Sequence, residues 1–167
     1  PDEPATTLGV AARRPADVRV PTDYDPNTEY PLVVLLHGYA ASGGIQNLYF
    51  GLSNQVSELG FILVIPDGTP NSNGARFWNA TDACCNFDDQ PVDDVAYLRG
   101  LIEEAQQNYR IDPRRVYLFG HSNGGFMSHR MACDAPDVIT AIVSLAGSTY
   151  LDPAECDTDT PVSMLQI

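Results

Sequence analysis

Arg115-Val-Tyr-Leu-Phe-Gly120-His121-Ser122-Asn123-Gly124-Gly125 is the stretch that decides the reading of this chain. A short apolar run, Val116 to Phe119, leads into Gly-His-Ser-Asn-Gly, and a helical pattern over Gly124 to Cys133 follows. A G-x-S-x-G pattern alone says little. Between a strand and a helix it marks a sharp turn that presents a serine hydroxyl at the top of a sheet. Such a turn is crowded, so it needs small residues on both sides of the serine, and Gly120, Gly124 and Gly125 supply them. The serine then stands at a helix N-terminus, where developing negative charge is stabilised. Ser122 is therefore the candidate nucleophile, against the plainer possibility of a bystander serine in a glycine-rich turn.

Outward from this turn, strands alternate with helices. Pro31 to Leu36, before His37-Gly38, is an apolar run that suits a central strand buried on both faces. Ile45, Leu48, Tyr49, Leu52, Val56 and Leu59 recur at helical spacing, which predicts one helix ending at Gly60. Phe61 to Pro66 reads as a second buried strand, and Asp67 to Gln90 as a long polar loop of the kind that usually has a function. Pro91 to Tyr109 predicts a helix with Pro91 in its first position and Asp93 and Asp94 near its positive end. Asp112-Pro113 predicts a turn, Ile139 to Leu145 a strand, and Pro161 to Ile167 the start of another. Pro1 to Gly9 reads as loose, Ala16 to Pro21 as an edge strand, and Thr22 to Tyr30 as a turn. The alternation implies an α/β fold with a mostly parallel sheet covered by helices on both faces.

Composition narrows the function. The chain has 167 residues and a net charge of −13, and its basic residues are all arginine. So acidic a surface disfavours nucleic acid and anionic membranes as partners, although net charge mainly speaks to solubility. No run approaches the ~20 apolar residues of a membrane span. The chain opens on Pro1 with no signal-peptide core, so the expectation is a removed leader or a trimmed end. Cys84, Cys85, Cys133 and Cys156 fit no zinc spacing, and no metal site is expected. In an exported chain an even cysteine count reads as disulfides; buried thiols are the alternative. Cys133, at the far end of the helix after Ser122, and Cys156, in the loop returning to the last strand, are expected to pair. Cys84 and Cys85 either bond to each other or seek a partner elsewhere.

The loop after the first central strand and the residue after the nucleophile supply the oxyanion-hole N–H groups in such a fold. Here those are the backbone amides of Tyr39 and Asn123. The His37 side chain is expected only to pack. Trp78 either lines a substrate subsite or lies partly buried under its loop. Asp67 reads as a turn residue rather than an acid. His121 should point away from its neighbour Ser122, and His129 lies two turns down the helix, roughly 10 Å away at about 1.5 Å per residue. Asn79-Ala80-Thr81 is a glycosylation sequon, relevant only in a eukaryotic secretory host.

Pro31 to Gly44 (PLVVLLHGYAASGG), Trp78-Asn79, Cys84-Cys85, Val92 to Val95 and Arg115 to Gly125 together resemble the polyhydroxybutyrate depolymerase and feruloyl esterase family of α/β-hydrolases. The resemblance runs from about Ala16 to the last residue. It implies a secreted serine carboxylesterase without metal or cofactor, acting on feruloyl, aryl or short-acyl esters or on polyesters. It also implies that residues 1–167 are the nucleophile-bearing N-terminal part of one catalytic domain, with the fold incomplete. The acid and histidine follow the nucleophile in such enzymes, and no His lies beyond His129. A complementary C-terminal polypeptide carrying them is therefore an expected partner. The competing class is an inactive relative that keeps the fold as a binding module.

Overall fold

The computed structural model describes residues 6–9, 13 and 15–167. Residues 1–5 of the opening expected to be loose lie outside these. The rest of that opening is not loose, because Thr7–Leu8 forms a short strand, β1. It pairs antiparallel with β2 (Ala16–Arg19), which in turn pairs antiparallel with β4 (Ile62–Ile65). β2 is thus an inner strand, not the edge that its alternating pattern suggested.

Four further strands complete a seven-stranded sheet. They are β3 (Tyr30–Leu36), β7 (Ile111–His121), β8 (Ala141–Leu145) and β9 (Ser163–Gln166). The order is β1-β2-β4-β3-β7-β8-β9, and every neighbouring pair from β4 to β9 is parallel. β3 and β4 are the most buried strands, as their unbroken apolar runs require. Asp112-Pro113 is not a separate turn. It lies within β7, which meets β3 with a register shift between Tyr30 and Leu32.

The helices divide between the two faces. α3 (Asp94–Asn108) and α4 (Asn123–Asp134) cover one face and pack with Leu32, Val34, Val116, Leu118 and Ile142. Each fully buried aliphatic side chain there contributes roughly 1.5–3 kcal/mol. Pro91 precedes α3 rather than opening it, and the Asp93 carboxylate caps the helix by accepting from the Ala96 N–H at 2.8 Å.

The other face carries α1 (Gly43–Phe50) and α2 (Val56–Leu59). The single helix expected there is broken at Gly51, whose φ of +67° ends α1 in a left-handed cap before a short 3-10 turn. Its apolar stripe is not a core stripe either. Ile45, Leu48, Tyr49 and Leu59 are exposed, while Gly43, Gln46 and Val56 are buried. The long loop also holds more order than its polarity suggested, since β5 (Thr69–Pro70) and β6 (Arg76–Phe77) form a small hairpin. Among the described residues no helix is long and apolar enough to cross a membrane.

Cys133 and Cys156 are bonded, with Cα atoms 5.1 Å apart, and Cys84 is bonded to Cys85. The first bond ties the end of α4 to the loop before β9.

Candidate active site

β3 has β4 on one side and β7 on the other. The chain leaves β3 toward α1 on one face and leaves β7 toward α4 on the opposite face. The crevice between the ends of β3 and β7 is therefore the topological switch point, where ligands bind in open α/β sheets. Ser122 and the His37-Gly38-Tyr39 loop meet there. A Cβ built on Gly38 would lie 3.5 Å from the Ser122 Cβ.

Ser122 is the one residue between β7 and α4, with φ +51° and ψ −119°. That region is costly for a side chain, so its occupation is held by the surroundings. The Ser122 N–H donates to the Leu145 carbonyl at 2.8 Å, and the Ser122 carbonyl accepts the first α4 bond from Phe126 N–H at 3.0 Å. The turn closes only with glycine beside it. A Cβ on Gly120 would stand 2.0 Å from the Gly124 carbonyl oxygen. The hydroxyl-bearing residue is half-buried, open enough to meet a ligand.

Asn123 is the first residue of α4, where a backbone N–H has no partner within the helix. In the loop after β3, Ala40 N–H donates to Arg76 O and Ala41 N–H to Gly38 O. Gly38 N–H is taken by the Gln46 side chain at 3.1 Å. Among the described residues the Tyr39 and Asn123 amides donate to no protein acceptor.

The three histidines are all engaged away from Ser122. His37 is fully buried; its Nε2 accepts from Gly68 N–H at 2.9 Å, so Nδ1 carries the proton and donates to Gly38 O at 2.8 Å. Burial holds its pKa below the ordinary imidazole value, outweighing the hydrogen bond to Gly38 and the Asp67 charge. His121 turns to α1, with Nδ1 3.3 Å from Gln46 Oε1 and its ring stacked on Tyr49. His129 Nε2 lies 2.9 Å from Gln166 Oε1. Asp67 is a structural turn carboxylate that accepts from Gly43 N–H at 2.8 Å and faces the Arg76 guanidinium at 3.5 Å.

Trp78 does not line a cleft: it has no exposed surface, and its indole N–H donates to the His37 carbonyl at 3.0 Å. A buried indole must place its one donor, and this acceptor draws it inward. An exposed aromatic beside the site is Phe87, 73% exposed and edge-on to Tyr39 at 5.2 Å. Next to it Thr81, Cys84, Cys85 and Arg130 help to line a hollow of about 340 Å³.

The sequence marked several of the surrounding residues without showing which of them meet. The Asn123 side chain accepts from Trp78 N–H at 2.7 Å and donates to Trp78 O at 3.0 Å. Asn71 donates to the Tyr39 hydroxyl at 2.9 Å. Asp94, buried, pairs with Arg13 and accepts from Asn79 N–H at 2.6 Å; burial raises its carboxyl above the usual range despite that partner. These contacts join segments far apart in sequence. Among the described residues no group of three or more His, Cys, Asp or Glu side chains is placed to hold a metal ion.

Residues 10–161 match the family model described as "Putative esterase". The chain is 30% identical over 154 residues to Feruloyl esterase B of Neurospora crassa, covering 89% of this chain and 50% of that protein. It is 30% identical over 130 residues to the poly(3-hydroxybutyrate) depolymerase of Ralstonia pickettii, covering 73% of this chain and 26% of that one. The acetyl xylan esterase structure from Aspergillus awamori superposes with a TM-score of 0.66 at 21% identity, covering 88% of this chain and 52% of its own; at that identity the likeness shows the fold. The chain thus spans half or less of the length of these two relatives. With the switch-point serine, the parallel sheet and a match over most of its length, the chain belongs to this esterase family and has the α/β-hydrolase fold.

Proposed function

We propose that Ser122 is the nucleophile of a serine carboxylesterase. The observation that carries this reading is the positive φ of Ser122 at the β7–α4 turn, held there by glycines that admit no side chain. Ser122 Oγ attacks an ester carbonyl and its proton passes to a base. The oxyanion is met by the Tyr39 and Asn123 amides, the alcohol leaves, and water then releases the acid from the acyl-serine.

With the described histidines committed elsewhere, the base and its orienting acid come from residues other than these. The sheet supports that view. On the α1 face, Tyr117, Phe119, Val143 and Leu145 are only half-buried and Leu165 is 56% exposed. That apolar surface suits a covering segment, so residues 1–167 are proposed as the nucleophile-bearing part of one catalytic domain. The disulfides favour an exported enzyme. The named relatives favour aryl or short-acyl esters, on plant polysaccharide or in polyesters, and exposed Phe87 beside half-buried Tyr39 suits such groups.

A fluorophosphonate probe on the full-length protein tests the mechanism: Ser122 is labelled and Ser122→Ala is not. Equal labelling of both would refute it. Turnover of methyl ferulate against hydroxybutyrate oligomers then ranks the substrate classes, and activity on neither removes both. The second reading, a non-catalytic binding module, is favoured by the engagement of all three histidines, and absence of labelling would select it.

A further inference from the structure

Trp78 belongs to neither segment that carries a proposed oxyanion amide, yet it is bonded to both. Its backbone N–H and C=O are held by the Asn123 side chain at 2.7 and 3.0 Å. Its indole N–H reaches the carbonyl of His37 at 3.0 Å, two residues before Tyr39. The ring is packed against His37 at 5.0 Å and stacked with Tyr97 at 6.5 Å, with no surface exposed. His37 is itself locked by Gly68 N–H on one nitrogen and Gly38 O on the other. A continuous chain of hydrogen bonds therefore runs from Asn123 through Trp78 to His37 and Gly38, behind the two amides.

Oxyanion donors act through preorganisation, so their spacing must be fixed before the charge develops. The Asn123 N–H has no helical partner to orient it, and the Tyr39 N–H lies in a loop. We infer that Trp78 and the Asn123 side chain are positioning residues that set the distance between these amides. They touch no substrate. Burying a large ring beside a strained turn would serve packing alone. Placing all three polar groups of Trp78 on the two oxyanion segments, and nowhere else, serves geometry.

The inference rests on the esterase reading, so the test separates the two. In the full-length protein, Trp78→Phe keeps a ring but removes the indole donor, and Asn123→Ala removes both bonds to Trp78. Active sites are titrated with fluorophosphonate, and p-nitrophenyl acetate turnover is expressed per titrated site. Misplacement of catalytic groups by about 1 Å costs about 100-fold. Each variant is thus expected to lose about 10- to 100-fold in kcat while KM stays within about twofold. Affinity for a trifluoromethyl ketone, whose adduct puts an oxyanion in the hole, falls by the same factor. Two variants are used because either substitution alone can unfold the protein. A lower Tm with kcat per site and ketone affinity within twofold of the parent would show a packing role and overturn the inference. Failure of the parent to titrate at Ser122 would overturn the esterase reading, and this inference with it.

Discussion

Gly124 lies directly against the carbonyl of Leu36: a Cβ on it would stand 2.2 Å from that oxygen. The first turn of α4 thereby sits on the end of β3, which brings Ser122 and the His37–Tyr39 loop to the same crevice. Gly124→Ala must push backbone from backbone, which no rotamer change relieves. It is expected to cost about 3 kcal/mol of stability, the upper part of the usual overpacking range, with loss of Ser122 labelling. Urea unfolding of parent and variant gives the first quantity.

Ser122→Gly is expected to stabilise the fold while abolishing activity. At φ +51° and ψ −119° a side chain is strained and glycine is not. Relief of that strain should add about 1 kcal/mol, read as a raised Tm. A fall in Tm would mean that the hydroxyl contributes more to stability than the backbone strain removes.

Stability should decline as pH falls below about 6.5, the ordinary histidine value, because of His37. Burial favours its neutral form, so its folded pKa lies below its unfolded one. Between those two values the unfolded chain binds a proton that the folded chain does not. The contribution is fully present above the unfolded pKa and is lost as pH falls through the folded one. Protonation would also remove the acceptor of Gly68 N–H. NMR titration should place His37 below the ordinary range, and His37→Gln should flatten the acid limb of a Tm–pH curve.

The Cys133–Cys156 bond spans 23 positions. The chain-entropy model gives about 3 kcal/mol for a loop of that size. Replacing both cysteines by serine should lower stability by about that amount, and non-reducing peptide mapping should recover the pair. Recovery of free Cys133 would refute it.

A chain of residues 1–167 expressed alone should bind a hydrophobic dye and associate, because Phe119 and Val143 are only half-buried, Leu165 is exposed and, among the described residues, β9 is an edge strand. The full-length protein should do neither. A monomeric, dye-silent 1–167 would contradict the proposed covering segment.

Much of this architecture was legible in residue order. The runs at 31–36 and 61–66 read as buried strands and form β3 and β4, and the glycines at 120, 124 and 125 pointed to a tight turn. The α1 stripe misled because helical periodicity shows that apolar residues share a face without showing that the face is covered. Ile45, Leu48 and Tyr49 share one that is not. Trp78 stayed undecided because an aromatic in a polar loop serves a subsite or a core equally well, and its donor's partner lies forty-one residues earlier.

By itself the sequence determined the alternation of strands and helices, the serine at a glycine-only turn and the family to which the chain is similar. Those properties are local, set by side-chain volume, backbone freedom and periodicity within a dozen residues. Only the tertiary structure decided that β3 lies between β4 and β7, that His37 is held between Gly68 and Gly38, and that Asn123, Trp78 and His37 form one hydrogen-bonded chain. Each of these joins groups distant in sequence. A buried polar atom must find a partner, but its own sequence neighbourhood does not say which one.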